Sequence, residues 1–388
     1  MRIVYLLPGG LFNPGGMERV LTIKANYLAE VFGYEVFIVT TEQMGRPVFF
    51  PVSEKVRLCH LDIGIHAKFG RENYVEKFIS RYFKTKEYVR KLKKLLNEIR
   101  PDITVSLLGL DIEYLNGFKD GSLKIGELHF PSNFRQLMAR KLSSAFIPNW
   151  VAAVRTKTFK QACRKLSRLV VLTEEEKVSW EGSDNVEVIP NALSFFPETV
   201  AACEAKKAIA VGRLVYEKGF DILIEAWETI YKKHPDWELH IYGDGNEKEN
   251  LLRQIQQENL EEAVKIHKPE KDIYVQYLQH SMMLFPSRYL EALPMVLIEA
   301  MSCGLPLVAF DAPCGPKDVI RDGVNGFLVE TGNIETLSAK INALIESDGM
   351  RKTMGKAARE MSFDYGEEKI MKRWFQLFET VKNKNTEY

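Results

Sequence analysis

Two acids and two cations in this 388-residue chain stand where they could act on one ligand. Glu291 and Glu299 lie eight residues apart in a stretch that reads as strand, loop and helix: the apolar Met282-Met283-Leu284-Phe285, then Pro286-Ser287, then Leu293-Pro294-Met295-Val296-Leu297-Ile298. Pro294 suits a first helical turn, where its missing N–H is no loss, and Gly304 supplies a left-handed stop. Such a turn aims free N–H groups and the positive end of a helix dipole at an anionic or strongly polar ligand. Arg213 and Lys218, in Val211-Gly212-Arg213-Leu214-Val215-Tyr216-Glu217-Lys218-Gly219, follow another strand-like run. Two cations at a strand's carboxyl end suit a diphosphate, above all one that leaves as an anion. A lone loop acid or cation is usually only solvated. Glu299, however, sits among Val, Leu, Ile, Ala and Met, where burial would require a polar partner.

Three further stretches bear on the same chemistry. Pro8-Gly9-Gly10-Leu11-Phe12-Asn13-Pro14-Gly15-Gly16-Met17-Glu18 follows the first strand and permits close backbone approach to a ligand, although it is no G-x-G-x-x-G fingerprint. Glu18 reads as a first-turn helix charge. Gly126-Glu127-Leu128-His129 ends a strand, and a lone His in such a run reads more often as a satisfied core histidine than as a ligand contact. Tyr242-Gly243-Asp244-Gly245 forms another turn at a strand end, with Gly243 giving room beside a ligand.

Glu291 and Glu299, continued through Ala300-Met301-Ser302-Cys303-Gly304-Leu305-Pro306 and Gly315-Pro316-Lys317-Asp318 to Val329, resemble the donor-binding half of the retaining family 4 glycosyltransferases of GT-B fold. The family usually has Glu-Gly at the first position, and Ala292 replaces that glycine here. The resemblance implies a nucleotide-sugar donor held by Gly16, Arg213, Lys218, Gly243, Glu291, Ala292, Leu293, Pro294, Met295, Val296 and Glu299. It also implies that Glu291, His129, Arg213 and Lys218 serve the transfer, with retained anomeric configuration and a leaving diphosphate that assists attack on the same face. Arg213 and Lys218 would hold the diphosphate, Glu299 the ribose hydroxyls, and Glu291 the donor sugar. Asp-x-Asp occurs nowhere in the sequence, consistent with side-chain cations replacing a metal, so neither metal nor cofactor is expected beyond the donor. The base-binding turn reads Lys268-Pro269-Glu270-Lys271-Asp272 rather than the family's glycine-containing turn. Uridine is the preferred base, with guanosine the alternative. A saccharide or lipid-linked acceptor in bacterial cell-surface polysaccharide synthesis fits the family.

The elements that must position these residues alternate along the chain. Strand-like runs at Arg2–Leu7, Glu35–Thr40, Val56–Asp62, Ile103–Leu108, Lys124–His129, Leu169–Leu172 and Val186–Ile189 are interleaved with helical periodicity at Glu18–Phe32, Glu72–Glu98 and Val151–Leu166. The alternation restarts at Ala208 and runs through Leu307–Phe310 and Ile334–Ile345. This pattern predicts parallel sheets covered by helices, with ligands beyond the strands' carboxyl ends. The expected organisation is α/β: two doubly wound Rossmann-like domains, which the resemblance sets facing across a cleft. Residues 1–193 form the acceptor-side domain, 194–206 a linker, 207–364 the donor-binding domain, and 365–388 a helix crossing back to the first.

A composition of 46% hydrophobic and 27% charged residues suits two folded domains and excludes disorder. No apolar run approaches the roughly 20 residues that span a bilayer, and Pro8-Gly9-Gly10 breaks the N-terminal run too soon for a signal peptide. Five scattered cysteines, without a C-x-x-C pair, read as reduced residues. A cytoplasmic protein is expected. The net charge of +1 conceals an asymmetry: the first 195 residues hold 29 Lys and Arg against 21 Asp and Glu, the remainder 24 against 31. The excess concentrates in Lys68 to Arg100, where cations alternate with Phe78, Ile79, Tyr82 and Phe83. That segment reads as a solvated amphipathic helix or as peripheral contact with an anionic membrane face. No nucleic-acid motif accompanies it. Two rival readings are a different GT-B protein, such as a nucleotide-sugar epimerase, and a basic membrane-associated binding module.

Overall fold

A computed structural model of the chain describes residues 1–13, 15–64, 74–134, 149–193, 195–289 and 291–386. Pro14, Ser194 and the Lys68–Arg71 start of the basic stretch lie outside them. The chain divides into two compact units, Met1–Ala192 with Glu368–Tyr388, and Leu193–Glu367.

The first unit holds a parallel sheet of β1 (Arg2–Leu7), β2 (Glu35–Thr40), β3 (Val56–His60), β4 (Ile103–Ser106), β5 (Leu123–Leu128), β6 (Arg168–Val171) and β7 (Val186–Val188), in spatial order 3-2-1-4-5-6-7. Its central strands β1 and β4 are buried at every position but Arg2, as a parallel sheet covered on both faces requires. Ile3, Tyr5 and Leu7 face one core and Val4 and Leu6 the other. The helix Glu367–Thr386 closes the first of these with Ile370, Met371, Trp374, Leu377 and Phe378.

The second unit repeats the winding with β8 (Lys207–Val211), β9 (Glu238–Tyr242), β10 (Val264–His267), β11 (Met282–Phe285), β12 (Leu307–Phe310) and β13 (Gly326–Val329), in order 10-9-8-11-12-13. In both sheets the winding reverses beside the first strand, between β1 and β4 and between β8 and β11. These are the switch points at which doubly wound sheets bind ligands.

One expectation fails. Residues 195–206 are no free linker but part of the second unit. Ala201 and Cys203 are buried, the Ala201 N–H donates to the Cys303 carbonyl at 2.8 Å, and the Cys203 carbonyl accepts from Arg351 Nε at 2.9 Å. Isolated small residues carry no periodicity to announce this burial. The basic stretch forms the helix Tyr74–Ile99, on which Ile79, Tyr82 and Phe83 are exposed while Leu92 and Leu96 enter the core.

Candidate functional site

At the second unit's switch point, two loops leave adjacent strand ends. The loop after β8 carries Arg213, makes one tight turn at Tyr216–Lys218, and enters the helix Phe220–Lys233 through Gly219 at φ 68°. A Cβ on Gly219 would stand 2.1 Å from the Pro286 carbonyl oxygen, so both dihedral and space demand glycine. The loop after β11 runs from Pro286 to Pro294 and opens the helix Met295–Ser302. Arg288 clips the loops together. Its N–H donates to the Glu217 carbonyl at 2.8 Å, and its guanidinium donates to the Tyr216 carbonyl at 2.6 Å and to both Asp221 carboxylate oxygens at 2.8 and 2.6 Å. A bidentate fork of this kind fixes direction as well as distance.

Across that clip Lys218 Nζ meets Glu291 Oε1 at 2.5 Å, and Ser287 Oγ donates to the same oxygen at 2.5 Å. The two side chains retain 20% and 8% exposure, so the pair is largely withdrawn from water, and a carboxylate so placed needs both donors. An ammonium has three donors; those not spent on Glu291 are available to a ligand, in an orientation already set. Arg213 is exposed and pairs with no carboxylate among the described residues.

Glu299 lies one turn into the helix Met295–Ser302, buried, and accepts from the fully buried Tyr277 hydroxyl at 3.4 Å. It thus has the polar partner its apolar surroundings demand. Pro294 stands at the cap position and Met295 begins the helix, with no side-chain cap; Leu293 and Pro294 are buried and Met295 and Val296 half-buried. Gly304 ends the helix at φ 79°, with its own N–H on the Met301 carbonyl and that of Leu305 on Ala300, a Schellman stop. Ala292 is half-buried, and its carbonyl oxygen would stand 3.1 Å from a Cβ on Gly315, so the two loops meet closely.

Gly243 needs a different reason from the one expected. A Cβ there would meet the Gly212 carbonyl oxygen at 2.0 Å, so glycine lets the loops after β8 and β9 touch rather than leaving open space.

Gly16 and His129 belong to the first unit. Gly16 begins the helix Gly16–Glu30, exposed and with open space where a side chain would stand. The glycine loop before it is fastened to the segment after β2: the Gly9 N–H donates to Thr41 Oγ1 at 2.8 Å and that of Leu11 to Gln43 Oε1 at 2.9 Å. Glu18 is in that helix's first turn but buried rather than solvated, and burial raises its carboxyl pKa. His129 follows the last residue of β5, with Nε2 3.1 Å from Glu127 Oε1. Sequence reasoning missed Ser287, Arg288 and Tyr277. The only local signal was Ser287-Arg288 directly after a strand end, and Tyr277 had none.

Residues 194–361 match the family described as glycosyl transferases group 1. An uncharacterized glycosyltransferase of Haemophilus influenzae is 32% identical over 366 residues, covering 93% of this chain and 96% of its own. The amylovoran biosynthesis glycosyltransferase AmsD of Erwinia amylovora is 33% identical over 380 residues, covering 95% and 97%. Among solved structures, the S. aureus TarM G117R mutant, in complex with fondaparinux, alpha-GlcNAc-glycerol and UDP, shares the fold at 19% identity, with a TM-score of 0.77 over 97% of this chain and 99% of that one. With two Rossmann-like domains matching those of GT-B structures and full-length relatives above 30% identity, the chain belongs to the glycosyl transferases group 1 family.

Proposed function

We propose that this chain is a retaining, family 4 glycosyltransferase that moves a sugar from a UDP-sugar to a hydroxyl of a saccharide or lipid-linked acceptor, without a metal, in cell-surface polysaccharide synthesis. The observation that carries the reading is the Lys218–Glu291 pair at the β8/β11 switch point, with Arg213 on the same loop as Lys218 and an uncapped helix following the loop of Glu291. As the anomeric carbon's bond to the diphosphate breaks, its electron pair stays on the leaving oxygen. Arg213, the free donors of Lys218 and the first N–H groups of the helix Met295–Ser302 meet that growing charge. Glu291 faces the positive sugar ring and Glu299 takes the ribose hydroxyls. The acceptor oxygen attacks on the face the diphosphate leaves, and its proton passes to a diphosphate oxygen. UDP in the TarM complex and amylovoran synthesis in the name of AmsD support the donor and pathway class.

The test is release of nucleoside diphosphate from a panel of UDP- and GDP-sugars in EDTA, with the product's anomeric configuration read by NMR. A UDP-sugar should be turned over with retention. Inertness toward the whole panel with competent acceptors, or an inverted product, would reject the proposal. Glu299→Ala should weaken UDP binding by about 10- to 100-fold, the worth of hydrogen bonds to a charged group, while changing kcat far less.

Membrane contact forms part of the same reading. Ile79, Tyr82 and Phe83, the last 64% exposed, share the helix Tyr74–Ile99 with Lys84, Lys86, Arg90, Lys93 and Lys94. No helix among the described residues is long and apolar enough to cross a membrane. Anionic vesicles should pull down the intact protein and leave a Tyr82→Asp/Phe83→Asp variant in solution. Equal sedimentation of both would remove the membrane from the proposal.

A further inference from the structure

Beneath His129 lies a charged pair that neither the fold nor the proposed chemistry uses. Lys24, on the helix Gly16–Glu30, points its ammonium at Glu127 Oε1, and the two side chains are 5% and 1% exposed. The same Glu127 oxygen is 3.1 Å from His129 Nε2. Lys24 Nζ also lies 3.9 Å over the Trp374 ring and 5.9 Å from that of Tyr5. Burial opposes the charge on Glu127, but the Lys24 ammonium and a hydrogen bond from His129 outweigh it and hold its pKa down at about 2.

A buried ion pair is a poor stabiliser. Replacing one with well-packed apolar side chains is often neutral or favourable, because desolvation offsets the attraction. The pair therefore needs another reason to occupy the core. An ionised Glu127 can only accept hydrogen bonds, so where it meets a neutral imidazole, Nε2 must carry the hydrogen. Lys24 compensates the charge of Glu127 and leaves it acting on His129 as a fixed acceptor. Glu18 also acts on His129, from the first turn of the helix that carries Lys24.

We propose that Glu127 and Lys24 are positioning residues for His129. They fix the ring as its Nε2–H tautomer and leave Nδ1 as a hydrogen-bond acceptor for a hydroxyl of the sugar substrate. The use of Nδ1 rests on the glycosyl-transfer reading above; the tautomer does not.

The experiment uses full-length protein labelled with 15N-histidine, its His129 signals assigned by their loss in His129→Asn. The free wild type should show a protonated Nε2 and an unprotonated Nδ1. Single substitutions strand a buried charge, so the informative variant is Lys24→Met/Glu127→Leu, which removes both charges and keeps apolar volume in the core. It should fold and bind UDP within about threefold of wild type, since neither residue belongs to the UDP-binding unit. Its His129 signals should shift to an averaged tautomer, and kcat should fall about 10-fold or more. A wild-type ring protonated at Nδ1, or a double variant that keeps both the tautomer and full kcat, would overturn the proposal. Should the wild type turn over no donor, the transfer reading fails, while the NMR spectra still decide the tautomer.

Discussion

Lys218→Ala should lower kcat for the nucleotide sugar about 10²- to 10³-fold, the range expected when one preorganised donor to a developing anion is lost. Lys218 is not a mobile surface cation that a neighbour could replace. Its ammonium is anchored 2.5 Å from Glu291 in a site the loops shield from water, where a charge acts more strongly than in bulk solvent. Alanine removes that charge and leaves Glu291, among the described residues, with Ser287 as its remaining side-chain donor, so two defects combine. Steady-state kinetics checks this, with the thermal midpoint as control for folding. A kcat within threefold of wild type in a folded variant would remove Lys218 from the chemistry.

Glu291→Ala should lower kcat by a similar factor while leaving UDP affinity within about threefold, because Glu291 is assigned to the sugar and to the transition state rather than to the nucleotide. The two substitutions should not add. Residues in direct contact show interaction energies of about 0.5–3 kcal/mol, and the Lys218→Ala/Glu291→Ala enzyme should be little slower than the worse single variant. Strict additivity of the two losses would mean that the pair does not act as a unit. The same comparison separates this reading from a noncatalytic binding module, in which neither substitution has a turnover to change.

The fold was legible because short strand-like runs alternate with longer helical periodicity along the chain, the pattern of parallel strands joined by helices. β1, β2, β11 and β12 fall on the residues expected of them. The helix Asp348–Ser362 escaped notice because its buried face consists of Arg351, Met354, Gly355, Ala358 and Ser362, where Met354 is the one large apolar side chain and the rest are small or polar. Gly355 is small for a reason invisible in one dimension: a Cβ there would stand 2.1 Å from the Gly304 carbonyl oxygen. The site followed the same division. Glu291, Glu299 and Lys218 announced themselves through spacing around strand exits and a helix start. Their partners Ser287 and Tyr277, and the Arg288–Asp221 clip, are set by the contact of separate loops, which no local pattern encodes. Lys24 was hidden for a further reason, since a lysine inside an amphipathic helix ordinarily reads as solvated, whereas this one is 4% exposed.

On the proposed function, the loops after β8 and β11 hold a nucleoside diphosphate chiefly by its phosphates. Calorimetric titration of UDP and GDP, set against uridine and guanosine, into wild type and Lys218→Ala tests it most directly. The diphosphate of the favoured base should bind wild type at least about 100-fold more tightly than its nucleoside, and Lys218→Ala should erase about tenfold or more of that advantage, the worth of charge-assisted contacts. Nucleosides binding as tightly as their diphosphates, or an undiminished phosphate advantage in Lys218→Ala, would contradict it.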